Sequence, residues 1–463
     1  MSGIPGILSG FIIRKREKKM EIKLSDHFTY KKLLRFVLPS IVMMVFTSIY
    51  CVVDGLFVSN FVGKSPFAAI NLIMPFVMIF GGVGFMFGTG GSALVSKTLG
   101  EKRPEKAKQY FTMMLLVTLI VGIIISVIGI IFMPQIADLL GAEGSEMKND
   151  CVVYGRIVIG FNTAFMLQNV FQSFFVTAEK PKLGLAVTVA AGVTNMILDA
   201  VFMVPLNMGV AGAAIATGIS QCVGGIIPLI YFLHPNSSLL QITKTKIEIK
   251  PVLRACGNGA SELVTTVTSS IVGMLYNFRL LEYSGENGVA TYGVLMYVEF
   301  IFIAIFIGYS VGCAPIIGYH YGADNKSELN NMLKKSLKLI LGCGVSMVVL
   351  GQLLAIPLAH LFVGYDNVLY EETVNAFRIF ALTFLFSGFN IFASSFFTAL
   401  SDGGVSATIS FLRTFLFKCP AVIVLPIIFG INGIWWATVV AEVLAIVLSA
   451  VFLIVKRKKY GYA

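Results

Sequence analysis

Seven charged side chains lie within long apolar stretches of this sequence, where a charge is costly. They are, in chain order, Asp54, Asp199, Glu262, Glu299, Arg413, Lys418 and Glu442. Placing such a charge in lipid costs at least ~2.5–3.5 kcal/mol on insertion scales. An acid in these surroundings holds a proton, binds a cation or pairs with a basic residue, so each is a candidate functional residue.

Two of these acids are predicted to lie at the same depth. Asp54 comes six residues before Asn60, and Asp199 comes six residues before Pro205, where the respective apolar stretches end. At about 1.5 Å per helical residue, both carboxylates lie ~9 Å inside the same surface. Two desolvated carboxylates that repel each other could hold a proton near neutral pH.

Further polar side chains reach this level. Tyr50 is one helical turn from Asp54, Asn195 is one turn from Asp199, and Thr217 lies ~12 Å inside the next stretch. Oxygen ligands of this kind also suit Na⁺. We predict a cation site for H⁺ or Na⁺ formed by these five residues, with no other metal, no cofactor and no catalytic residues. The alternative is that the two acids are hydrogen-bonded structural residues.

Twelve apolar stretches of about 20 residues or more must position these side chains. They cover residues 33–60, 68–96, 110–135, 152–178, 183–205, 209–233, 252–280, 289–318, 333–360, 372–400, 404–429 and 433–455. Such segments cross a bilayer as helices, because their backbone polar groups must be satisfied within the segment. The predicted fold is an all-α integral membrane protein with about twelve transmembrane helices.

Composition excludes the main alternatives. Only 13% of residues are charged and 57% are hydrophobic, whereas soluble domains carry roughly 25% charged residues. A soluble enzyme and a disordered chain are therefore excluded. The net charge of +11 lies mostly in short segments such as 14–19, 102–108 and 456–459, which predicts cytoplasmic loops and both termini in the cytoplasm, not nucleic-acid binding.

The N-terminal apolar stretch at 4–13 is not typical of a signal peptide, since it is short and its charges follow it. The sequence leaves open whether Met1 or Met20 is the natural start. The seven cysteines have no C-x-x-C spacing and the four histidines no metal spacing, so we expect neither disulfides nor a transition-metal site.

An internal repeat divides the chain into two halves. MGVAGAAIAT at 208–217 matches FGINGIWWAT at 429–438 with a shift of 221, and Gly100 matches Gly322 with a shift of 222. Six spans per half give a parallel repeat, as in secondary transporters that bind substrate between two lobes. The predicted organisation is a cytoplasmic tail (1–32), an N-lobe (33–233), a cytoplasmic linker (234–251), a C-lobe (252–455) and a second cytoplasmic tail (456–463).

The second half does not copy the predicted cation site. With a shift of 221, the position equivalent to Asp54 is Leu275 and the position equivalent to Asp199 is Pro420. Ion coupling is therefore predicted in the N-lobe only. Pro39, one or two turns into the first span, is a candidate hinge that would couple protonation of Asp54 to helix bending; a static kink is the alternative.

The C-lobe carries other acids near mid-depth, namely Glu262, Glu299 and Glu442. One interpretation is that they pair with Arg413 or Lys418. The other is that one of them faces a cavity and attracts a cationic substrate. Both remain open from the sequence.

Four motifs together resemble the multidrug and toxic compound extrusion (MATE) family, in particular its bacterial MepA-like branch. They are LPSIVMMVFTSIYCVVDGLF at 38–57, LVSKTLGEKRPEKA at 94–107, NMILD at 195–199 and GVAGAAIAT at 209–217. The resemblance covers nearly the whole chain and implies the same five-residue cation site and an acid in the seventh span, Glu262. Some members carry Asp in the tenth span where this chain has Asn390, which argues against a second cation site; we count Asn390 with the candidate residues of the substrate cavity.

The expected function is secondary active efflux of drugs or organic cations in antiport with H⁺ or Na⁺ by alternating access. We expect a monomer in the plasma membrane, embedded in the lipid bilayer, without nucleic-acid partners and without enzymatic activity. The alternative is a flippase for lipid-linked saccharides of the same superfamily, whose members often have about fourteen spans and a basic cavity. A membrane enzyme or channel is disfavoured, since no metal motif, nucleophile elbow or filter sequence is present.

Overall fold

The structure is a computed structural model that describes residues 22–62, 64–142, 145–364 and 366–462. The regular secondary structure of this part of the chain is entirely helical. Residues 1–21, with the basic cluster 14–19 and Met20, lie outside the described residues.

The described residues of the N-terminal half form seven helices. They are α1 (Tyr30–Phe61), α2 (Lys64–Gly100), α3 (Pro104–Leu139), α4 (Ser145–Gly160), α5 (Asn162–Thr177), α6 (Pro181–Met203) and α7 (Gly209–Leu233). The Thr29 side chain caps α1 by accepting from the Lys32 backbone N–H. Proline opens α3 and α6, where its missing N–H would have no helical partner.

The C-terminal half contains the remaining helices of the described chain. They are α8 (Ile249–Gly322), α9 (Lys326–Val363), α10 (Asn367–Ala381), α11 (Phe384–Ala399), α12 (Gly403–Phe411), α13 (Lys418–Phe429), α14 (Ile431–Val455) and the short α15 (Arg457–Tyr460). A π-helical turn at Leu412–Leu416 joins α12 to α13.

The helices account for twelve membrane crossings. Among the described residues, nine helical segments are long and apolar enough to cross a membrane, with α12 and α13 forming one segment, and two bent pairs raise that number to eleven. The pairs are α4 with α5, bent by 51°, and α10 with α11, bent by 46°. Helix α8 has 74 residues, about 111 Å, which is more than twice the thickness of a bilayer. It therefore crosses twice, and the predicted twelve spans are confirmed.

The two crossings of α8 meet at Gly285, whose φ of 62° and ψ of −143° lie outside the helical region. Only glycine adopts this conformation readily. The sequence leaves 281–288 outside the spans, but the structure continues the helix on both sides of this residue. We call the segments before and after Gly285 the first and second arms of α8.

The outer surfaces of the helices are apolar, as expected for contact with lipid. Helix α3 is long and apolar, and its Ile123 and Ile131 side chains are 55% and 60% exposed. Such continuous exposed apolar surface is unusual on a soluble monomer.

The two halves cross closely on the side of the bundle where α2 ends. We call this side the basic face; it contains the loops 101–103 and 323–325 and residues 456–459. A Cβ on Gly100 would lie 2.0 Å from the Tyr319 carbonyl oxygen, and one on Gly322 would lie 2.0 Å from that of Lys97. Only glycine permits this approach of α2 to the second arm of α8. The repeat therefore places its matched glycines at one reciprocal crossing.

The segment before α1 ties both halves together on the same face. The Leu24 N–H donates to Glu179 Oε1 at 2.6 Å in the α5–α6 loop, and the Phe28 N–H donates to Glu328 Oε1 at 3.0 Å on α9. His27 Nδ1 lies 2.6 Å from the other carboxylate oxygen of Glu328. Burial raises the pKa of the Glu179 carboxyl.

The C-terminal tail packs on the basic face of its own half. Tyr460 and Tyr462 are buried, and the Tyr460 hydroxyl donates to Asp402, which caps α12. Burial opposes ionisation of Asp402, but this hydrogen bond and the charge of Lys459 hold the pKa of the carboxyl below its ordinary value. These contacts fix residues 456–462.

Candidate functional site

Helices α1 and α6 pack side by side and bring four of the five predicted site residues together. Asp54 on α1 lies next to Asp199 and Asn195 on α6. Tyr50 is one turn before Asp54 on α1, as the sequence predicts. The matched depth of the two acids thus corresponds to direct proximity of their side chains.

Polar oxygens in this region are buried without hydrogen-bond partners among the described residues. Asp199 is 0% exposed and neither of its carboxylate oxygens has a partner; the same is true of Oδ1 of Asp54 and Oδ1 of Asn195. Thr217 Oγ1 is also buried and unpaired, on α7, which packs against α6. Buried polar groups are otherwise almost always satisfied, so these oxygens are open to a proton or to a bound cation.

The donor set fits either ion. Two carboxylates, an amide oxygen and a hydroxyl are hard oxygen ligands of the type that binds Na⁺, and a proton shared by the carboxylates would remove their mutual repulsion. Among the described residues, no group of three or more His, Cys, Asp or Glu side chains could hold a metal ion.

Gly192 positions Tyr50 and was not singled out in the sequence. A Cβ at Gly192 would lie 2.8 Å from Tyr50 Cδ1 and 2.6 Å from Phe46 Cε1, so the two rings pack on bare backbone of α6. Gly192 precedes Asp199 by seven residues, which is two helical turns on the same face. That spacing was the available sequence signal.

Two further side chains complete the surroundings of the acids. Gln168 on α5 is buried with its amide within hydrogen-bonding range of the Tyr50 hydroxyl. Tyr154 on α4, also buried, faces both Asp54 and Asp199. The polar run QNVFQS within an apolar span could have indicated a functional role for Gln168. No feature of the sequence indicates such a role for Tyr154.

The C-terminal half contains a different buried cluster. Arg413 Nε donates to both carboxylate oxygens of Glu442, at 2.9 and 3.0 Å. Asn390 Nδ2 donates to Glu442 Oε2 at 2.8 Å, and Ser449 donates to Asn390 Oδ1 at 3.0 Å. Glu442 and Asn390 are 1% and 0% exposed. Of the two interpretations left open, the structure shows pairing for Glu442.

The other two acids of this half differ from Glu442. Glu299 lies near the charges of Lys418, Glu442 and Arg413. Glu262 is half-buried on the first arm of α8, and its carboxylate has no ion pair or hydrogen bond within the described part of the chain. A role for Glu262 or Glu299 in a substrate cavity stays a prediction.

Helix α1 runs without interruption through Pro39. Just after this proline, α1 crosses the second arm of α8, where a Cβ on Gly308 would lie 2.7 Å from the Ser40 carbonyl oxygen. The predicted hinge therefore sits at a tight contact between the halves.

A profile of the family described as MatE matches residues 39–201 and 262–424, more than half of the chain. The chain belongs to the MatE family. This confirms the family that the motifs indicate, and the two matched segments confirm the internal repeat. The family consists of membrane transporters rather than enzymes.

Relatives and solved structures agree with this assignment. Multidrug export protein MepA of Staphylococcus haemolyticus (strain JCSC1435) is 26% identical over 427 residues, covering 89% of this chain and 90% of the relative. The MepA protein of Staphylococcus aureus (strain MRSA252) is 24% identical over 420 residues, covering 89% of this chain and 91% of the relative.

The fold of this MatE family member is similar to that of MATE crystallised in complex with MaL6, with a TM-score of 0.89 and 20% identity over 94% of this chain and 98% of that one. An outward-facing multidrug resistance MATE family transporter of the MOP superfamily gives a TM-score of 0.88 and 20% identity over 93% of this chain and 96% of the other. The all-α fold is thus confirmed.

Proposed function

We propose that this protein is a secondary active multidrug efflux transporter that exchanges drugs or organic cations for H⁺ or Na⁺. The observation that carries the proposal is the cluster of buried, unpaired oxygens around Asp54 and Asp199. Such oxygens are open to a coupling ion, and the protein itself supplies no hydrogen-bond partner that the ion would have to displace. The curated relatives named multidrug export protein support the substrate class.

The coupling ion would act by removing the repulsion between the two carboxylates. When Asp54 and Asp199 are both charged and empty, α1 and α6 are pushed apart; a proton or Na⁺ lets them approach. Exchange of one H⁺ or Na⁺ for one monovalent organic cation moves no net charge, so the concentration gradient of the coupling ion would drive it. If two ions enter for each cation exported, the membrane potential adds ~2.3 kcal/mol per net charge per 100 mV.

Alternating access would use the contacts between the halves. In this structure the glycine crossing of Gly100 and Gly322 and the segment before α1 hold the halves together on the basic face. We infer that this face is cytoplasmic, with both termini there in the plasma membrane, and that these contacts separate when the substrate enters from the cytoplasm. Glu262 would attract the cationic substrate, and the functional unit would be the monomer.

Transport by purified protein in proteoliposomes tests the proposal. A fluorescent organic cation is offered with a pH gradient alone and then with a Na⁺ gradient alone. We expect one gradient to drive transport, and Asp54→Asn and Asp199→Asn each to reduce it at least ~100-fold, because the ion loses a charged ligand. The matched control is Asp138→Asn, an exposed acid paired with Lys148, which should retain transport.

Unchanged transport in both site variants would overturn the assignment of the site. Movement of a lipid-linked saccharide without transport of the organic cation would favour the flippase. The twelve spans and the acidic cluster argue for the exporter.

A further inference from the structure

A large cavity lies on the basic face, away from the acid cluster. Its volume is about 1130 Å³, and its walls come from both halves: the end of α2 and the start of α3 on one side, and the starts of α8 and α12 on the other. We call it the basic crevice. Much of the motif LVSKTLGEKRPEKA lines it, although the proposed transport mechanism gives that motif no role.

Cations outnumber acids around the basic crevice. Its lining includes Lys97, Arg103, Lys106 and Arg254, against Glu101 and Glu105. The two acids have their own partners, since Glu105 accepts from Lys108 at 2.8 Å and Glu101 lies 3.8 Å from Arg103. The crevice therefore keeps a net positive charge.

Two of the cations are not neutralised by carboxylates. Arg254 is exposed and makes no ion pair or hydrogen bond with any described residue. Lys97 is half-buried and its ammonium lies 5.0 Å from the centre of the Tyr321 ring, again with no carboxylate partner in the part of the chain that the structure describes. They stand on opposite walls, Lys97 on α2 and Arg254 on α8.

The inner part of the crevice is apolar. Leu94 and Tyr110 lie six residues from the ends of their helices, and Ala407 lies four residues inside α12, which places them roughly 6–9 Å inside the helix ends. Two cationic side chains beside these apolar groups match a phosphate group attached to an acyl chain. Basic pockets between transmembrane helices are suited to anionic lipid head groups.

We propose that the basic crevice binds a phosphate-bearing anion, held between Lys97 and Arg254, with the head group of an anionic phospholipid of the adjoining leaflet as its source. Because the two cations belong to different halves, the bound phosphate bridges the halves and stabilises the state that is closed on the basic face.

The test uses the purified full-length chain in mixed micelles that contain either phosphatidylglycerol or phosphatidylcholine, with a separate arm of inorganic pyrophosphate and no added lipid. Lipid adducts are counted by native mass spectrometry, and the thermal unfolding midpoint is followed in all arms. The variants are Lys97→Gln, Arg254→Gln and the double variant. The matched control is Lys102→Gln, an exposed cation in the loop after α2 that is not part of the crevice lining.

We expect phosphatidylglycerol to bind and to raise the unfolding midpoint more than phosphatidylcholine does. Each single variant should weaken its binding about fivefold and the double variant about 25-fold, since a cation near the surface contributes about a fivefold gain in affinity, while Lys102→Gln should change it less than twofold. Binding should also weaken as salt is raised from 0.1 to 0.5 M.

Stabilisation by pyrophosphate that the double variant loses would support the phosphate site with a soluble source. Equal binding of the two lipids, or an equal loss in Lys102→Gln, would overturn the proposal. The unfolding midpoints of the variants without lipid show whether they are folded.

Discussion

The two halves of the molecule share one fold but differ in whether their buried acids have partners within the protein. In the N-terminal half, Asp54 and Asp199 lie together with buried oxygens that have no partner among the described residues. In the C-terminal half, the Glu442 carboxylate is neutralised by Arg413 and accepts a hydrogen bond from Asn390. The repeat therefore keeps helix packing and changes chemistry: one half leaves its acids open to the proposed coupling ion, and the other supplies its own cation.

Equivalent positions of the repeat show the same difference. Thr217 and Thr438 are matched by the shift of 221; the Thr217 hydroxyl is unpaired, whereas that of Thr438 lies 2.5 Å from the Tyr276 hydroxyl. The hydroxyl of Thr438 is therefore satisfied within its own half, whereas that of Thr217 has no partner among the described residues.

The largest expected effect is on stability, in the C-terminal cluster. Glu442→Leu leaves the Arg413 charge buried without a counter-charge, which should cost ~3–5 kcal/mol of unfolding free energy. The measurement is the thermal unfolding midpoint of the purified protein in detergent.

The double variant Arg413→Met with Glu442→Leu is the control for this prediction. Since both charges are then absent, most of the lost stability should return. A double variant as unstable as the single one would show that the ion pair is not the source of the loss.

The N-terminal cluster should respond to ligand instead. In the wild type, adding the coupling ion should raise the unfolding free energy by about 2.7 kcal/mol at a hundredfold excess over its dissociation constant, because only the folded site binds it. Asp199→Asn should lose this response and should not destabilise the protein, since it removes an unpaired buried charge.

The double variant of the C-terminal cluster should keep the response to the ion. If it lost the response, or if Asp199→Asn kept it, the division of roles between the halves would be wrong. The coupling ion is identified by repeating the titration with Na⁺ at constant pH and with protons in the absence of Na⁺.

The sequence predicts the depth of a residue in a helix better than the side-chain partners of that residue in these clusters. The number of spans and the common depth of Asp54 and Asp199 depend on the lengths of the apolar stretches and on the helical rise, which is the same for every residue. The pairing of Glu442 depends on which face Arg413 presents, and the π-helical turn at Leu412–Leu416 alters the register of that helix. Apolar pattern alone does not reveal such a turn.

Contacts between side chains of different helices cannot be predicted from the sequence pattern either. Gly192 matters because the Tyr50 ring lies against it, and Gln168 matters because its amide reaches the same residue. Neither role can be read from spacing within one helix, since each depends on how α1, α5 and α6 are placed against one another. The predicted ends of the lobes likewise remain a prediction.

The smallest expected effect compares the two matched threonines. Thr438→Val removes the partner of the Tyr276 hydroxyl in a buried site and should cost about 1 kcal/mol of unfolding free energy. Thr217→Val removes a hydroxyl that has no partner among the described residues, so it should cost little stability but weaken binding of the coupling ion. The unfolding midpoint, measured with and without that ion, separates the two outcomes. Equal losses of stability in both variants, without a change in ion response at Thr217, would mean that the halves differ less than their hydrogen bonds indicate.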